Sequence, residues 1–287
     1  RLLAMIFLIY LFMKKQFLLF LLLATTTLTA SAQFITTWKT DNTGSTQSYQ
    51  IQIPINGTGY NINWWLKRDS TNVRGFTVAS GNNYILTFPH EGIYGVSISK
   101  GSGTINYIQF NNTGDKLKLM EINQWGDHPW KNMGSAFNGC SNLTISAIDR
   151  PNLTQVSNVN GMFRDCSKIE LIPDMENWNV SNVTSMNNMF YGASSFNQPL
   201  NSWDVSKVTS MSGMFNGATS FNQPLNSWNV SNVTNMASMF NKASSFNQSI
   251  NQWNVSKVTN MASMFSGATS FNQPLNSWNV SNVTNMD

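Results

Sequence analysis

The chain has 287 residues, of which 41% are hydrophobic and only 10% charged, against roughly 25% charged in an ordinary soluble domain. Seventeen Lys and Arg stand against thirteen Asp and Glu for a formal charge of +4, but Arg1, Lys14 and Lys15 fall in an N-terminal leader, and without them fourteen basic residues face thirteen acidic ones. A near-neutral chain lacks the clustered Lys and Arg that displace phosphate counterions, which excludes nucleic acid as a partner.

The leader comes first in chain order. Residues 1–12 begin without Met and are expected to be an upstream translation artefact. Met13-Lys14-Lys15-Gln16 is a short basic head, Phe17 to Ala24 an apolar run, and Ala30-Ser31-Ala32 a small-residue cleavage site, so 13–32 reads as a secretory signal peptide. The apolar run is short of the roughly 20 residues that span a bilayer, and no Cys follows it to accept lipid. The expectation is a secreted or cell-surface protein that does not span the membrane once cleaved. The rival reading anchors it through Leu2 to Leu23.

From 33 to 115 short alternating segments are punctuated by Gly, Asn and Ser: Trp38, Tyr49 to Ile55, Ile62 to Trp64, Phe76 to Val78, Tyr84 to Phe88 and Tyr94 to Ser99. Such spacing predicts a small antiparallel β-sandwich. Thr87-Phe88-Pro89-His90-Glu91-Gly92-Ile93-Tyr94-Gly95-Val96-Ser97-Ile98 resembles the closing strands of PKD-type sandwich domains, although the Trp-x-x-Gly-Asp-Gly turn usual there does not follow Trp64 and Trp65.

The remainder, 116–287, repeats. Trp178, Trp203, Trp228, Trp253 and Trp278 recur about every 25 residues, in step with Phe190, Phe215, Phe240 and Phe265 and with Phe196, Phe221, Phe246 and Phe271. Weaker copies precede them at Met133 and Phe137 and at Val156, Val159, Met162 and Phe163. A unit this short cannot bury its own apolar face, so the physics favours stacking units into a solenoid, with like residues in shared core columns. Val183, Met186, Met189 and Phe190 keep spacings of three and four, which predicts a short helix or 3-10 turn. Gly192, Gly217 and Gly267 would end it in the left-handed region, with Lys242 the exception, strained by roughly 1 kcal/mol. The Ser-Phe-Asn-Gln stretch is the strand candidate, closed by Pro199, Pro224 and Pro274. Asn197, Asn201, Asn222 and Asn226 could form side-chain ladders or face solvent as loop residues.

Cys140 and Cys166 each lie three residues after a repeat Phe, so they share one repeat position and form a candidate disulfide. The alternative is that both are small buried fillers, since Ala193, Ala218, Ala243 and Ala268 follow there.

Trp203-Asp204-Val205-Ser206-Lys207-Val208-Thr209-Ser210-Met211-Ser212-Gly213-Met214-Phe215, followed by Phe221-Asn222-Gln223-Pro224-Leu225, resembles the BspA-like leucine-rich-repeat surface proteins and the related repeat lipoproteins of mycoplasmas. The resemblance implies a leucine-rich-repeat-like solenoid on a secreted or surface-attached bacterial protein, in a family associated with adhesion. Phe, Met and Val in place of Leu keep a parallel β-helix as the alternative. The chain stops at Asp287 in mid-unit, which suggests a fragment.

His90 and His128 sit in no nucleophile, zinc or general-base motif. Asp41, Asp69, Glu91 and Asp115 form no recognisable carboxylate pair for glycoside hydrolysis. No enzyme, cofactor or metal site is expected. The functional expectation is a binding or adhesion protein that contacts a protein or cell-surface macromolecule through its repeats. Two alternatives are a spacer that presents the front module and a carbohydrate-binding module, with glycan as the partner.

Overall fold

The computed structural model describes residues 33–67 and 73–287. The expected leader, its membrane-anchor rival and Asp69 all lie outside those residues. The period-two alternation of the front half becomes β1 (Phe34–Lys39), β2 (Gln50–Ile53), β3 (Ile55–Leu66), β4 (Arg74–Gly81), β5 (Tyr84–Thr87), β6 (Ile93–Ser99), β7 (Thr104–Ile108) and β8 (Leu119–Gln124), followed by the short β9 (Thr144–Ile145). Seven of these make one sheet in the order β4-β3-β6-β1-β8-β9, with β7 beside β3, while β2 and β5 pair separately. The pairings are antiparallel except for β8 with β9. The sheet therefore continues past position 115.

One face of this sheet supplies the core. Phe34 and Trp38 on β1, Tyr60 and Ile62 on β3 and Tyr94, Val96 and Ile98 on β6 are buried together with Ile51, Ile53 and Leu86 of the β2–β5 ribbon. Burying side chains of this size is the main driving force for such a layer, at roughly 1.5–3 kcal/mol each. The core runs on into the repeats, where Phe34 packs on Trp130 at 5.4 Å, Trp125 on Phe137 at 5.9 Å and Phe137 on Phe163 at 5.7 Å.

Two architectural expectations are overturned. In place of an antiparallel β-sandwich over 33–115, there is one large mixed sheet and a separate two-stranded ribbon. In place of a helix-plus-strand unit in a leucine-rich-repeat solenoid, the described residues hold one 3-10 turn, Met175–Asn177, and the regular repeats carry neither helix nor strand. The runner-up, a parallel β-helix, fails too. Successive repeats meet through isolated parallel bridges, Asn158 to Ser185 to Ser210 to Asn235 to Asn260 to Asn285, and not through strand ladders. The fold is β-rich, with its sheets closed into neither barrel nor solenoid.

The backbone explains why the helix fails. Asn188, Ser238 and Ser263 have φ of 55°, 55° and 53°, and Gly213 has 63°, so the middle of each expected helix is left-handed. A right-handed helix cannot run through such a residue, and Asn, Ser, Thr and Val give it little intrinsic support. The chain turns twice instead. The second turn falls at Gly192, Gly217 and Gly267, with φ of 67°, 71° and 74°, and Lys242 adopts 56° at the same place.

Candidate functional site

The residues singled out by the repeat form the interior. Trp178, Trp203, Trp228 and Trp253 are buried, as are Phe190, Phe215 and Phe240 and Phe196, Phe221 and Phe246, while Phe265, Phe271 and Trp278 are half-buried. Rings of equivalent residues stack in sequence. Phe190, Phe215, Phe240 and Phe265 follow one another at 5.7, 5.7 and 5.8 Å, and Phe196, Phe221, Phe246 and Phe271 at 5.9, 6.0 and 5.8 Å. The two columns also touch, with 4.0 Å between Phe190 and Phe196, Phe215 and Phe221, and Phe240 and Phe246. Each later indole has a fixed partner. Trp203 Nε1 donates to Met175 O at 2.9 Å, Trp228 to Leu200 O at 2.8 Å, Trp253 to Leu225 O at 3.0 Å and Trp278 to Ile250 O at 3.0 Å. These aromatics pack the repeats against one another, and the buried ones are not available at the surface.

Backbone bonds fix the spacing of those positions. Met186, Asn188, Phe190 and Gly192 donate to Ser210, Ser212, Met214 and Asn216 of the next repeat at 3.0, 2.8, 2.9 and 2.7 Å. Outside them run polar columns. The Asn197, Asn222 and Asn247 side chains each accept the backbone N–H of the Asn one repeat on, at 3.0 Å. Thr209, Thr234, Thr259 and Thr284 hydroxyls each donate to the preceding Thr carbonyl at 3.1–3.2 Å. A third column alternates Asn182, Lys207, Asn232, Lys257 and Asn282, with Lys207 Nζ on Asn182 Oδ1 at 2.8 Å and Lys257 Nζ on Asn232 Oδ1 at 2.7 Å. Alternation keeps like charges from stacking directly on one another, which would be destabilising.

This repeated geometry coincides with a known sequence family. The model for the family described as "Mycoplasma protein of unknown function, DUF285" matches residues 131–235 and 198–287, together more than half of the chain. The chain belongs to this family. No curated protein and no solved structure matches it. The match lies wholly within the repeats, and the PKD-like resemblance of 33–115 gains no support from it.

In this DUF285 member Cys140 and Cys166 are buried free thiols. Cys166 Sγ contacts Phe137 O at 3.1 Å, and burial pushes both thiols well above the ordinary thiol range. The candidate disulfide is not formed, and the pair occupies the small-residue position that Ala193 and Ala218 fill later. His128 sits half-buried with Nε2 at 2.9 Å from Ile105 O, and its pKa is lowered, first by desolvation. Among the described residues no group of three or more His, Cys, Asp or Glu could hold a metal, and no helix is long and apolar enough to cross a membrane.

Sequence reasoning missed one buried ionic pair. Asp115 accepts from the backbone N–H groups of Ser45, Thr46 and Gln52 at 2.6, 3.1 and 2.6 Å. Lys118 Nζ donates to the carbonyls of Thr46, Gln47 and Gln50 at 3.1, 2.8 and 2.9 Å, 3.9 Å from Asp115 Oδ1. An Asp and a Lys three apart in a polar stretch carry no signal of burial, because their partners come from some 70 positions earlier.

Proposed function

We propose that this protein is an exported or surface-displayed binding protein of the BspA-like kind, in which the repeats form a regular contact surface for a protein or cell-surface macromolecule. The observation that supports this reading is the set of outer polar columns, the exposed Thr184 to Thr284 and Asn182 to Asn282 and the partly exposed Asn197 to Asn247, presented in constant register by bonds to neighbouring repeats. Side chains already fixed by such bonds lose little freedom on binding, and preorganisation of that kind raises affinity without new contacts. Identical units also offer the same subsite several times, so weak contacts add by multivalency. Export rests on the signal-like sequence at 13–32.

Capture of matrix proteins by the chain, with and without residues 204–253, tests the proposal. That deletion joins Trp203 to Asn254 and removes two whole repeats in register. The expected result is a folded protein whose capture falls about tenfold or more. Unchanged affinity would instead assign the repeats a spacer role and the binding to the front module.

A further inference from the structure

The face of the seven-stranded sheet turned away from the core carries a feature that the repeats do not explain. Trp64 and Trp65 are neighbours on β3 and therefore point to opposite faces. Trp64 belongs to the interior, packing edge-on to Phe88 at 5.3 Å and to Tyr94 at 5.8 Å. Trp65 is half-buried on the other face, outside the core cluster, and no ring pair among the described residues involves it. Its register partner across to β6 is Gly95, which pairs onward to Thr37 on β1, and Thr37 to Glu121 on β8. A Cβ at Gly95 would fall 2.2 Å from Trp65 Cε2 and 2.3 Å from Cζ2. The indole therefore lies flat on the β6 backbone, a close approach that only Gly permits.

Beside this platform a cleft of about 550 Å³ is lined by Thr37, Lys67, His90, Glu91, Ile93 and Glu121. Lys67 Nζ donates to Thr37 Oγ1 at 2.6 Å and stands 3.9 Å from Glu121 Oε2, and Thr37 Oγ1 donates to Asn123 Oδ1 at 2.6 Å. The cleft thus holds donors and acceptors in close alternation, and the Lys67 charge is balanced by a carboxylate.

We propose that this face binds a neutral glycan, with one pyranose ring lying on the Trp65 indole and its hydroxyl groups reaching Lys67, Glu91 and Glu121. A flat apolar surface bordered by a few convergent polar groups matches a sugar ring, which is apolar on its faces and polar around its rim. Within the cleft Lys67 is already paired with Glu121, which disfavours phosphate there. A quaternary ammonium is recognised by a cage of several rings, not one plane. Strand addition of a peptide needs a free sheet edge, and Trp65 lies on β3, between β4 and β6. The site is separate from the repeat columns, so its failure leaves the reading of the repeats intact.

The full chain is screened against an array of neutral hexose and N-acetylhexosamine oligosaccharides, and the best binder is titrated by calorimetry. Trp65→Ala is expected to weaken binding about tenfold or more, the loss typical of removing one stacking ring, whereas Trp65→Tyr keeps it within roughly threefold because a flat ring remains. Glu121→Gln is expected to weaken it at least about threefold through loss of a charge-assisted hydrogen bond. Absence of binding to every oligosaccharide on the array overturns the proposal. So does wild-type affinity in Trp65→Ala, or, should that variant not fold, in Glu121→Gln.

Discussion

The left-handed positions decide how each repeat is made. Gly139, Asp165, Gly192, Gly217, Lys242 and Gly267 occupy one place in six successive repeats, all with φ between 56° and 83°. Lys242 is the clearest conflict between residue and backbone. Its N–H still donates to Ser266 O at 2.7 Å, so the geometry is retained at the expense of strain. A residue with a Cβ pays roughly 1–2 kcal/mol in this region relative to Gly. Lys242→Gly is therefore expected to stabilise the protein by about 1 kcal/mol, read as a rise in the urea midpoint with unchanged slope. A lower midpoint would show that the Lys242 side chain contributes more than its backbone costs. The Gly at this place could be read from the sequence because it recurs. The left-handed Asn188 and Ser238 could not, because Asn and Ser also occupy many ordinary positions in the same units.

At the scale of elements, spacing announced which residues would be buried but not which secondary structure would bury them. Met186, Met189 and Phe190 are interior as a helical face would be, yet two tight turns achieve the same burial, since inter-repeat N–H···O bonds replace those within a helix. The strand candidate Ser195 to Gln198 fails for a related reason. There the Asn197 side chain, not a strand backbone, accepts from the next repeat. In the front half the strong alternation of Tyr84 to Phe88 and Tyr94 to Ser99 was legible, but β7 and β8 were not, because Asn and Glu interrupt their apolar pattern. The segment between β1 and β2 is irregular and is clamped by Asp115 and Lys118 rather than by a sheet. Lys118→Met takes the ammonium donor from three carbonyls and leaves a buried carboxylate without its cation. The expected cost is about 3–5 kcal/mol, with amide exchange at Thr46 and Gln50 accelerated. A loss within roughly 0.5 kcal/mol would contradict the clamp.

For the whole molecule, the sheet and the repeats share one continuous core, from Phe34 and Trp130 through Phe137 and Phe163 to the long Phe columns. The boundary seen in composition near 115 marks a change of surface and turn chemistry, while β8 and β9 carry the sheet on into the first repeats. Candidate binding residues were the least legible feature. The repeat signal is written by the interior, and outward-facing Asn, Ser and Thr recur only because their units do. Trp65 was hidden among ten Trp residues until strand register separated it from Trp64.

The account rests on equivalent residues of adjacent repeats lying directly over one another. Thr209 and Thr234 are such a pair, exposed and joined by the Thr234 N–H to Thr209 O bond at 2.8 Å. With Cys140 and Cys166 replaced by Ala, Thr209→Cys/Thr234→Cys and Thr209→Cys/Thr259→Cys can be treated with dibromobimane, which bridges only thiols in near contact. Rapid intramolecular bridging in the first variant and none in the second is the predicted result. Equal bridging in both, or none in the adjacent pair, would contradict the stacked register.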